Sequence, residues 1–328
     1  MNILVVGGAG YIGAHMTKLL FDAGNEVVVL DNLSSGSRDA VLGGEFVEGD
    51  LGDRALLDGL FSRHRFDAVM HFASFIQVGE STMRPGKYYR NNVANTVNLL
   101  DAMVEHGVRR LIFSSTAAIY GEPRYVPIDE DHPKAPVNPY GRSKWMVEQM
   151  LDDYERAHGL RHSSLRYFNA AGADPSGALG ERHDPETHLI PLVLQAASGR
   201  RPSINVFGAD YDTPDGTCVR DYVHVVDLCR AHWLALERLM DGEESRAYNL
   251  GNGAGFSVKE VIDSARKVTA RTIGVVETER RAGDAARLVA DSRRAQQELR
   301  WQPQYPELDA IIAHAWAWEQ KVAALARK

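Results

Sequence analysis

The chain has 328 residues, 44% of them apolar and 25% charged, with a formal net charge of −7 at neutral pH. That balance suits a soluble globular enzyme and excludes nucleic-acid binding, which needs a concentrated basic face; the arginine pairs at 109–110, 200–201, 280–281 and 293–294 are scattered. Two cysteines without disulfide or zinc-like spacing (Cys218 and Cys229), no basic leader, and no apolar run near the ~20 residues of a membrane span give the expectation of a reduced, cytoplasmic protein.

In chain order, the first half alternates short apolar runs with amphipathic stretches. Strands are predicted at 2–7, 26–31, 45–50, 67–73, 110–115 and 163–168, and helices near 11–24, 53–64, 86–106 and 139–157. Apolar runs buried on both faces and separated by helices predict a Rossmann-type, doubly wound parallel α/β sheet. Gly24 and Gly107 stand where helices should end. After Asn169 the rhythm breaks. Residues 170–188 read as a long Gly/Pro/Asp-rich loop, followed by a helix at 188–199, a strand at 204–208, the segment "CVRDYVHV" and a helix at 226–240. A strand "AYNLG" and helices near 257–270, 291–299 and 307–325 complete the chain. The expected division is 1–171 for a nucleotide-binding domain, rejoined by a segment near 219–250, and 172–328 for a smaller α/β substrate-binding domain.

"GGAGYIG" joins the first strand to the first helix and reads in two frames, Gly7-x-x-Gly10-x-x-Gly13 or Gly8-x-Gly10-x-x-Gly13. In both, glycines let the backbone approach a pyrophosphate whose charge the helix N-terminus favours. Asp31 ends the second strand where a ribose-binding carboxylate belongs. Its charge repels a 2′-phosphate, so NAD is expected over NADP; Arg38, beyond the "DNLSSG" turn, is the cation that argues the other way. Asp50 is either an adenine contact or a strand-end cap.

Ser114, Ser115 and Thr116 end the fifth strand, where ligands lie in such a sheet; they also suit a simple turn cap. Tyr140 and Lys144, four apart, share a helix face behind the start signal Asn138-Pro139. A phenol with a pKa of about 10 is a poor base at neutral pH, but a neighbouring ammonium favours the phenolate. Such a phenol can take a proton from a substrate hydroxyl while a hydride leaves the same carbon. "HDPETH" (183–188) gathers two histidines and two acids. It reads as a solvated loop with no further ligand at suitable spacing, so no metal is expected.

With its G-x-x-G-x-x-G and Y-x-x-x-K motifs the chain resembles the extended short-chain dehydrogenase/reductase superfamily. The ordered series "VGGAGYIGAH", "VVVLDNLSSG", "EGDLGD", "HFASFIQVGES", "YYRNNVANT", "FSSTAAIYG", "PYGRSKWMVEQ", "LRYFNAAGA", "CVRDYVHVVDL", "YNLGNG" and "RRAGD" resembles, within it, the UDP-glucose 4-epimerase family. The resemblance implies tightly held NAD, transient oxidation of a UDP-sugar at carbon 4, and reduction of the 4-keto sugar on its opposite face. UDP-glucose and UDP-galactose would thereby interconvert; UDP-glucuronate, UDP-N-acetylhexosamine and UDP-pentose 4-epimerases share the chemistry and are the alternatives. Ala117-Ala118 stand where the related 4,6-dehydratases carry an Asp-Glu pair for eliminating water.

Carried over position by position, the resemblance implies catalytic roles for Thr116, Tyr140 and Lys144. It implies cofactor contacts from Gly7, Gly10, Tyr11, Ile12, Gly13, Asp31, Asn32, Ser35, Gly36, Asp50, Leu51, Phe72, Ala73, Ser74, Asn91, Ser114 and Tyr167, besides Tyr140 and Lys144. For the UDP-sugar it implies Thr116, Tyr140, Asn169, His188, Leu189, Asn205, Phe207, Arg220, Arg281, Asp284 and Leu288, the two arginines holding the diphosphate. Without that context Arg220 reads as a surface partner of Asp221. Ile76 replaces a lysine that some epimerases carry, and Leu288 occupies the position that gates room for an N-acetyl group. A homodimer is implied, with the helices at 86–106 and 139–157 as its candidate bundle.

Overall fold

The computed structural model describes residues 1–280 and 284–325. Its first half runs β1 (Asn2–Val6), α1 (Tyr11–Asp22), β2 (Glu26–Asp31), β3 (Glu45–Glu48), α2 (Arg54–Arg63), β4 (Ala68–His71), α3 (Val78–Met83), α4 (Pro85–Tyr88), α5 (Asn95–Glu105), β5 (Arg110–Ser114), α6 (Pro139–His158) and β6 (Arg161–Tyr167). The second half runs β7 (Asn169–Ala171), α7 (Leu189–Ala197), β8 (Ile204–Phe207), β9 (Val219–Arg220), β10 (Tyr222–His224), α8 (Val225–Met240), β11 (Arg246–Leu250), β12 (Phe256–Ser257), α9 (Val258–Thr269), β13 (Val275–Thr278), β14 (Arg287–Leu288), α10 (Arg293–Glu298) and α11 (Leu308–Leu325).

A seven-stranded sheet of order β11-β6-β5-β4-β1-β2-β3 forms the centre, and every neighbouring pair in it is parallel. Side chains alternate across a strand, and β1 displays the result. Ile3 and Val5 enter a core with Met16 and Leu20 of α1 and Leu228 and Leu236 of α8. Leu4 and Val6 enter the opposite core with Leu57 and Leu60 of α2, Leu99 and Leu100 of α5, and Val147 and Leu151 of α6. Helices therefore cover both faces, which is why the strands read as unbroken apolar runs. Gly24, Gly107 and Gly159 take φ of 79°, 78° and 68°, the left-handed turn that ends α1, α5 and α6.

The second half divides its elements. α8 and β11 attach to the large sheet, α8 packing on α1, β5 and β6. β9 and β10 instead join small sheets, β12-β9-β14 and β10-β7, and β8 pairs with β13. α7, α9 and α11 enclose a separate core around Val193, Leu194, Val261, Ile262, Ile311 and Ile312.

Two sequence expectations are corrected. The helix read at 86–106 is broken: α4 and α5 flank a π-helical turn, Tyr89–Ala94. The short helix α3 lies in a stretch to which the sequence reading assigns no element. The stretch 170–188 is not structureless, because β7 pairs with β10 and Ala173 bridges Gly180.

Behind the sheet's carboxyl edge lies a buried polar network. Arg166 of β6 and Glu148 of α6, 5% and 4% exposed, form a forked ion pair with N···O distances of 3.1, 3.2 and 2.6 Å. Glu148 also accepts from the Ser115 hydroxyl at 2.5 Å. Arg166 donates to the Tyr120 hydroxyl at 3.0 Å, which donates to Asn249 Oδ1 at 2.6 Å. One cluster thus ties α6 to β6, to the end of β5 and to β11. Arg166→Met strands a carboxylate in the interior, so urea unfolding should show a loss of roughly 3–5 kcal/mol. A loss below about 1 kcal/mol, the scale of an exposed pair, would show that the network does not hold α6.

Candidate active site

Because the sheet is parallel, the carboxyl ends of β1, β4, β5 and β6 lie along one edge, and the loops leaving them converge. The glycine loop after β1 resolves into one frame. Gly7 takes a φ of 80°, and a Cβ there would lie 2.4 Å from the Ala73 nitrogen. A Cβ on Gly13 would lie 2.1 Å from the Gly7 oxygen. Gly7 and Gly13 are therefore fixed by backbone contact, whereas a Cβ on Gly10 would meet only the Gly7 oxygen, at 3.4 Å, and its outer side is open. Gly8 instead packs toward Val29 and Thr17, so the frame is Gly7-x-x-Gly10-x-x-Gly13. Tyr11, Ile12 and Gly13 form the first turn of α1, whose N–H groups have no intrahelical partners.

Asp31 closes this loop from below. Its carboxylate accepts from the Ala9 and Leu33 N–H groups at 2.9 and 2.8 Å, and burial pushes its pKa up while those two bonds oppose the shift. Gly36 approaches the Ala9 backbone so closely that a Cβ would sit 2.7 Å from the Ala9 carbonyl carbon. Ser35 lines a cleft with Gly10, Tyr11, Arg182 and Trp318. Asp50 accepts from Asn32 Nδ2 at 2.5 Å, Gly52 N at 2.7 Å and Asn95 Nδ2 at 3.1 Å, so it caps its own turn while holding Asn32. Leu51 beside it is buried, with its carbonyl taken by Asn98.

After β4, Phe72 and Ala73 both donate backbone N–H to the Val6 carbonyl, which brings Phe72, Ala73 and Ser74 beside the glycine loop. The π-helical turn carries Asn91, which donates to Asn92 Oδ1 at 2.9 Å. Asn92, missed by sequence reasoning, is 3% exposed. It accepts from Phe75 N, and donates to the Phe75 carbonyl and to Ser143 of α6. It clamps the 72–77 loop to the helix that carries Tyr140. Ile76 is exposed, and Lys87 lies 4.0 Å above the ring of its neighbour Phe75, paired with Glu80 at 2.8 Å.

Tyr140 and Lys144 both lie buried on α6, and Thr116 bears on the Tyr140 phenol. Asn138 caps α6 by accepting from Gly141 N at 2.9 Å, and Pro139 stands in its first turn. Tyr140 and Lys144 are 7% and 3% exposed. Burial raises the Tyr140 phenol well above its ordinary pKa, Tyr167 adds to that, and a hydrogen bond with Thr116 opposes it. Burial pushes Lys144 down to about 7 against the charge of Glu148. Its amine donates to the Ser114 carbonyl at 2.7 Å and lies 4.9 Å from the Phe113 ring centre. The amine is thus engaged with the end of β5, and the groups that bear on the phenol are Tyr167, Thr116 and Tyr88. Ser114 Oγ meets the Tyr167 hydroxyl at 2.9 Å. A buried phenol, a hydroxyl bonded to it and a movable proton on an amine form an acid/base set.

The expected substrate residues divide. Asn169 donates to the Asp221 carbonyl at 2.8 Å. Arg220 donates to the Val219 and Ala285 carbonyls at 2.9 and 2.8 Å, and its other nitrogen lies 3.5 Å from Asp284. The rival reading of an Arg220–Asp221 bridge is corrected: Asp221 is fully buried and accepts from Asn252, Gly253 and Ala290 N–H groups instead. Leu288 lies opposite Arg220 in register and packs with Ile119, Tyr120 and Ile128. Asn205 and Phe207 sit on β8, Asn205 exposed and Phe207 half-buried. Leu189 opens α7, and His188 before it engages Glu181 and Glu186. Arg281 lies outside the described residues.

Sequence reasoning also missed Glu148 and Arg166. Their signals were present: Glu148 follows Lys144 by one helical turn, and a charge inside a buried strand such as β6 requires a partner.

The geometry has counterparts in known proteins. A model of the NAD dependent epimerase/dehydratase family matches residues 3–251. The chain is 51% identical over 321 residues to the UDP-glucose 4-epimerase of Halalkalibacterium halodurans, covering 98% of this chain and 96% of that one. It is similar to the crystal structure of UDP-glucose 4-epimerase from Brucella ovis in complex with NAD (TM-score 0.94, 51% identity, 96% and 97% of the two chains). It is also similar to that from Bifidobacterium longum in complex with NAD+ and UDP (TM-score 0.92, 39% identity, 98% of each chain).

Burial of Lys144 has a thermodynamic signature. Its folded pKa, about 7, lies below its ordinary 10.5, so the unfolded chain binds the extra proton between those values. Stability of the ligand-free protein should therefore rise as pH climbs through that window. Replacing the amine by Lys144→Met should flatten that rise, measured as urea midpoints from pH 7 to 10. Identical slopes in the two proteins would mean that Lys144 is not desolvated.

Proposed function

The chain belongs to the NAD dependent epimerase/dehydratase family, and from that premise we propose that it interconverts UDP-glucose and UDP-galactose through a 4-keto sugar. The observation that carries the reading is the buried Thr116–Tyr140–Lys144 set on the same sheet edge as the glycine loop. The residues fit NAD: Gly7 and Gly13 close the turn, Gly10 leaves its outer side open, and the Asp31 carboxylate stands where ribose hydroxyls can donate to it. Bound there, NAD would supply the hydride chemistry at carbon 4, reversible oxidation to a 4-keto sugar.

The chain's own residues handle the proton. Tyr140 takes it from the 4-hydroxyl and returns it, and the Thr116 hydroxyl holds the substrate oxygen in line. Burial favours the neutral phenol, so ionising Tyr140 needs positive charge close by; Lys144, one helical turn away, is the buried cation on that face. Glu148 and Arg166 fix α6 so that both groups keep their places. At the other end, the Arg220 guanidinium, steadied by two carbonyls, suits a diphosphate. Residues 1–171 with α8 and β11 serve the cofactor, and the rest of 172–328 serves the UDP-sugar. Ala117 and Ala118 provide no acid and base for elimination, which favours epimerisation over dehydration.

The expected assembly is a homodimer through α5 and α6, whose surface includes the 42% exposed Met146. No helix among the described residues is long and apolar enough to cross a membrane.

Purified protein given UDP-galactose without added NAD should form UDP-glucose with no net NADH release. Stoichiometric NADH would identify a dehydrogenase instead. Tyr140→Phe should keep NAD, read by absorbance after denaturation, yet lose turnover by about 10²-fold or more; a near-normal rate removes Tyr140 from its role. Leu288 fills the space beside Arg220, so the chain should strongly prefer UDP-glucose to UDP-N-acetylglucosamine. Leu288→Ser should narrow that ratio by roughly tenfold. Equal turnover of the two sugars by the unaltered protein would refute the gate.

A further inference from the structure

The segment leading into α7 was read as a solvated loop, and the structure corrects that. Glu181, His183, Glu186 and His188 bring one ligand atom each to within 4.8 Å of one another, the only such group among the described residues. His188 Nδ1 lies 2.8 Å from Glu181 Oε1 and 3.0 Å from Glu186 Oε1. His183 Nδ1 lies 3.2 Å from Glu181 Oε1 and 3.6 Å from Glu186 Oε2. Both carboxylate side chains are only 6% exposed. The His183 Nδ1 atom is buried and makes no hydrogen bond. Glu181, the fourth member, was overlooked because it lies just outside "HDPETH".

We propose that these four side chains form a structural site for a zinc ion. Zinc takes imidazole nitrogen and carboxylate oxygen at about 2.0–2.2 Å in a tetrahedron, which sets neighbouring ligand atoms about 3.3 Å apart. The four histidine–carboxylate separations scatter around that value. Two buried carboxylates demand two positive charges. A pair of imidazolium rings is the other way to supply them; with ring centres 5.2 Å apart the two charges oppose each other while each faces both carboxylates. Ordinary ion pairing also separates into couples, whereas here Glu181 Oε1 faces both histidines and Glu186 faces the same two with its two oxygens. One divalent ion satisfies both carboxylates and leaves both rings neutral.

Four protein ligands leave no open position, so the ion is structural rather than catalytic. Its place gives it a task. The His183 ring lies 6.4 Å from that of Tyr11, and the Tyr11 hydroxyl donates to the Gly172 carbonyl at 2.7 Å. The ion fastens the 172–188 segment and the start of α7 against the first turn of α1, at the flank of the glycine loop.

Elemental analysis of the full-length protein, purified without chelator, should give about one zinc per chain. Glu181→Gln with His183→Gln should hold at least about tenfold less. A distorted loop would also lose metal, so a second measurement uses the unaltered chain. After stripping with chelator, titration with cobalt(II) alone should give the visible absorption of a tetrahedral site, saturating near one equivalent and displaced by zinc. Absence of the cobalt band with only trace zinc overturns the proposal. So does zinc retained at the same level by the double variant, which marks an adventitious ion only.

Discussion

The forked ion pair between Arg166 and Glu148 is the constraint on which the site depends. Each charge is almost fully withdrawn from water, and neither is tolerable there without the other. The pair is also selective in direction. A guanidinium fork donates to a carboxylate in one plane; Glu148 also accepts from Ser115, and Arg166 also donates to Tyr120 and the Glu130 carbonyl. Sliding α6 along the sheet by one residue would separate the fork from its carboxylate. Tyr140 and Lys144 lie on the turns just before Glu148, so the register that satisfies the ion pair is the register that presents the phenol to Thr116.

Lys144 shows how the same burial serves two ends. An amine inside a protein loses its proton readily, and this one is drawn down to about 7. Its fixed place is secured by the Ser114 carbonyl rather than by a carboxylate. A carboxylate in direct contact would lock the proton on, and a wholly apolar wall would drive it off. Glu148, one turn further along, acts from a distance and is itself held by Arg166.

Local chemistry made much of this legible before the fold was seen. The apolar runs, the cap at Asn138 and the turn glycines report on their own neighbourhoods, and the large sheet follows from them. The glycine frame did not, since Gly7 and Gly8 have the same composition around them; the choice lies in the approach of Ala73, some 66 residues away in the chain. The broken helix at 86–106 was equally hidden. Its apolar spacing is helical throughout, and the π-helical turn carries Asn92, which reaches both Phe75 and Ser143. Asp221 misled for a related reason: beside Arg220 in sequence it suggests an ion pair, yet three backbone N–H groups from distant loops claim it. Interactions between residues far apart in the chain are what single-sequence patterns cannot carry.

The strand order also has a history in time. β6, with Arg166 and Tyr167, pairs with β5 on one side and with β11 on the other. β11 follows it by about 80 residues, on the order of 4–16 s of ribosomal synthesis. During that interval β6 is an open edge with unpaired N–H and C=O groups, the kind of edge that recruits foreign strands. The Asn249 that completes the Tyr120 link arrives only with β11. The nascent chain therefore carries an incomplete sheet for seconds, and faster elongation shortens the time for which that edge stays open.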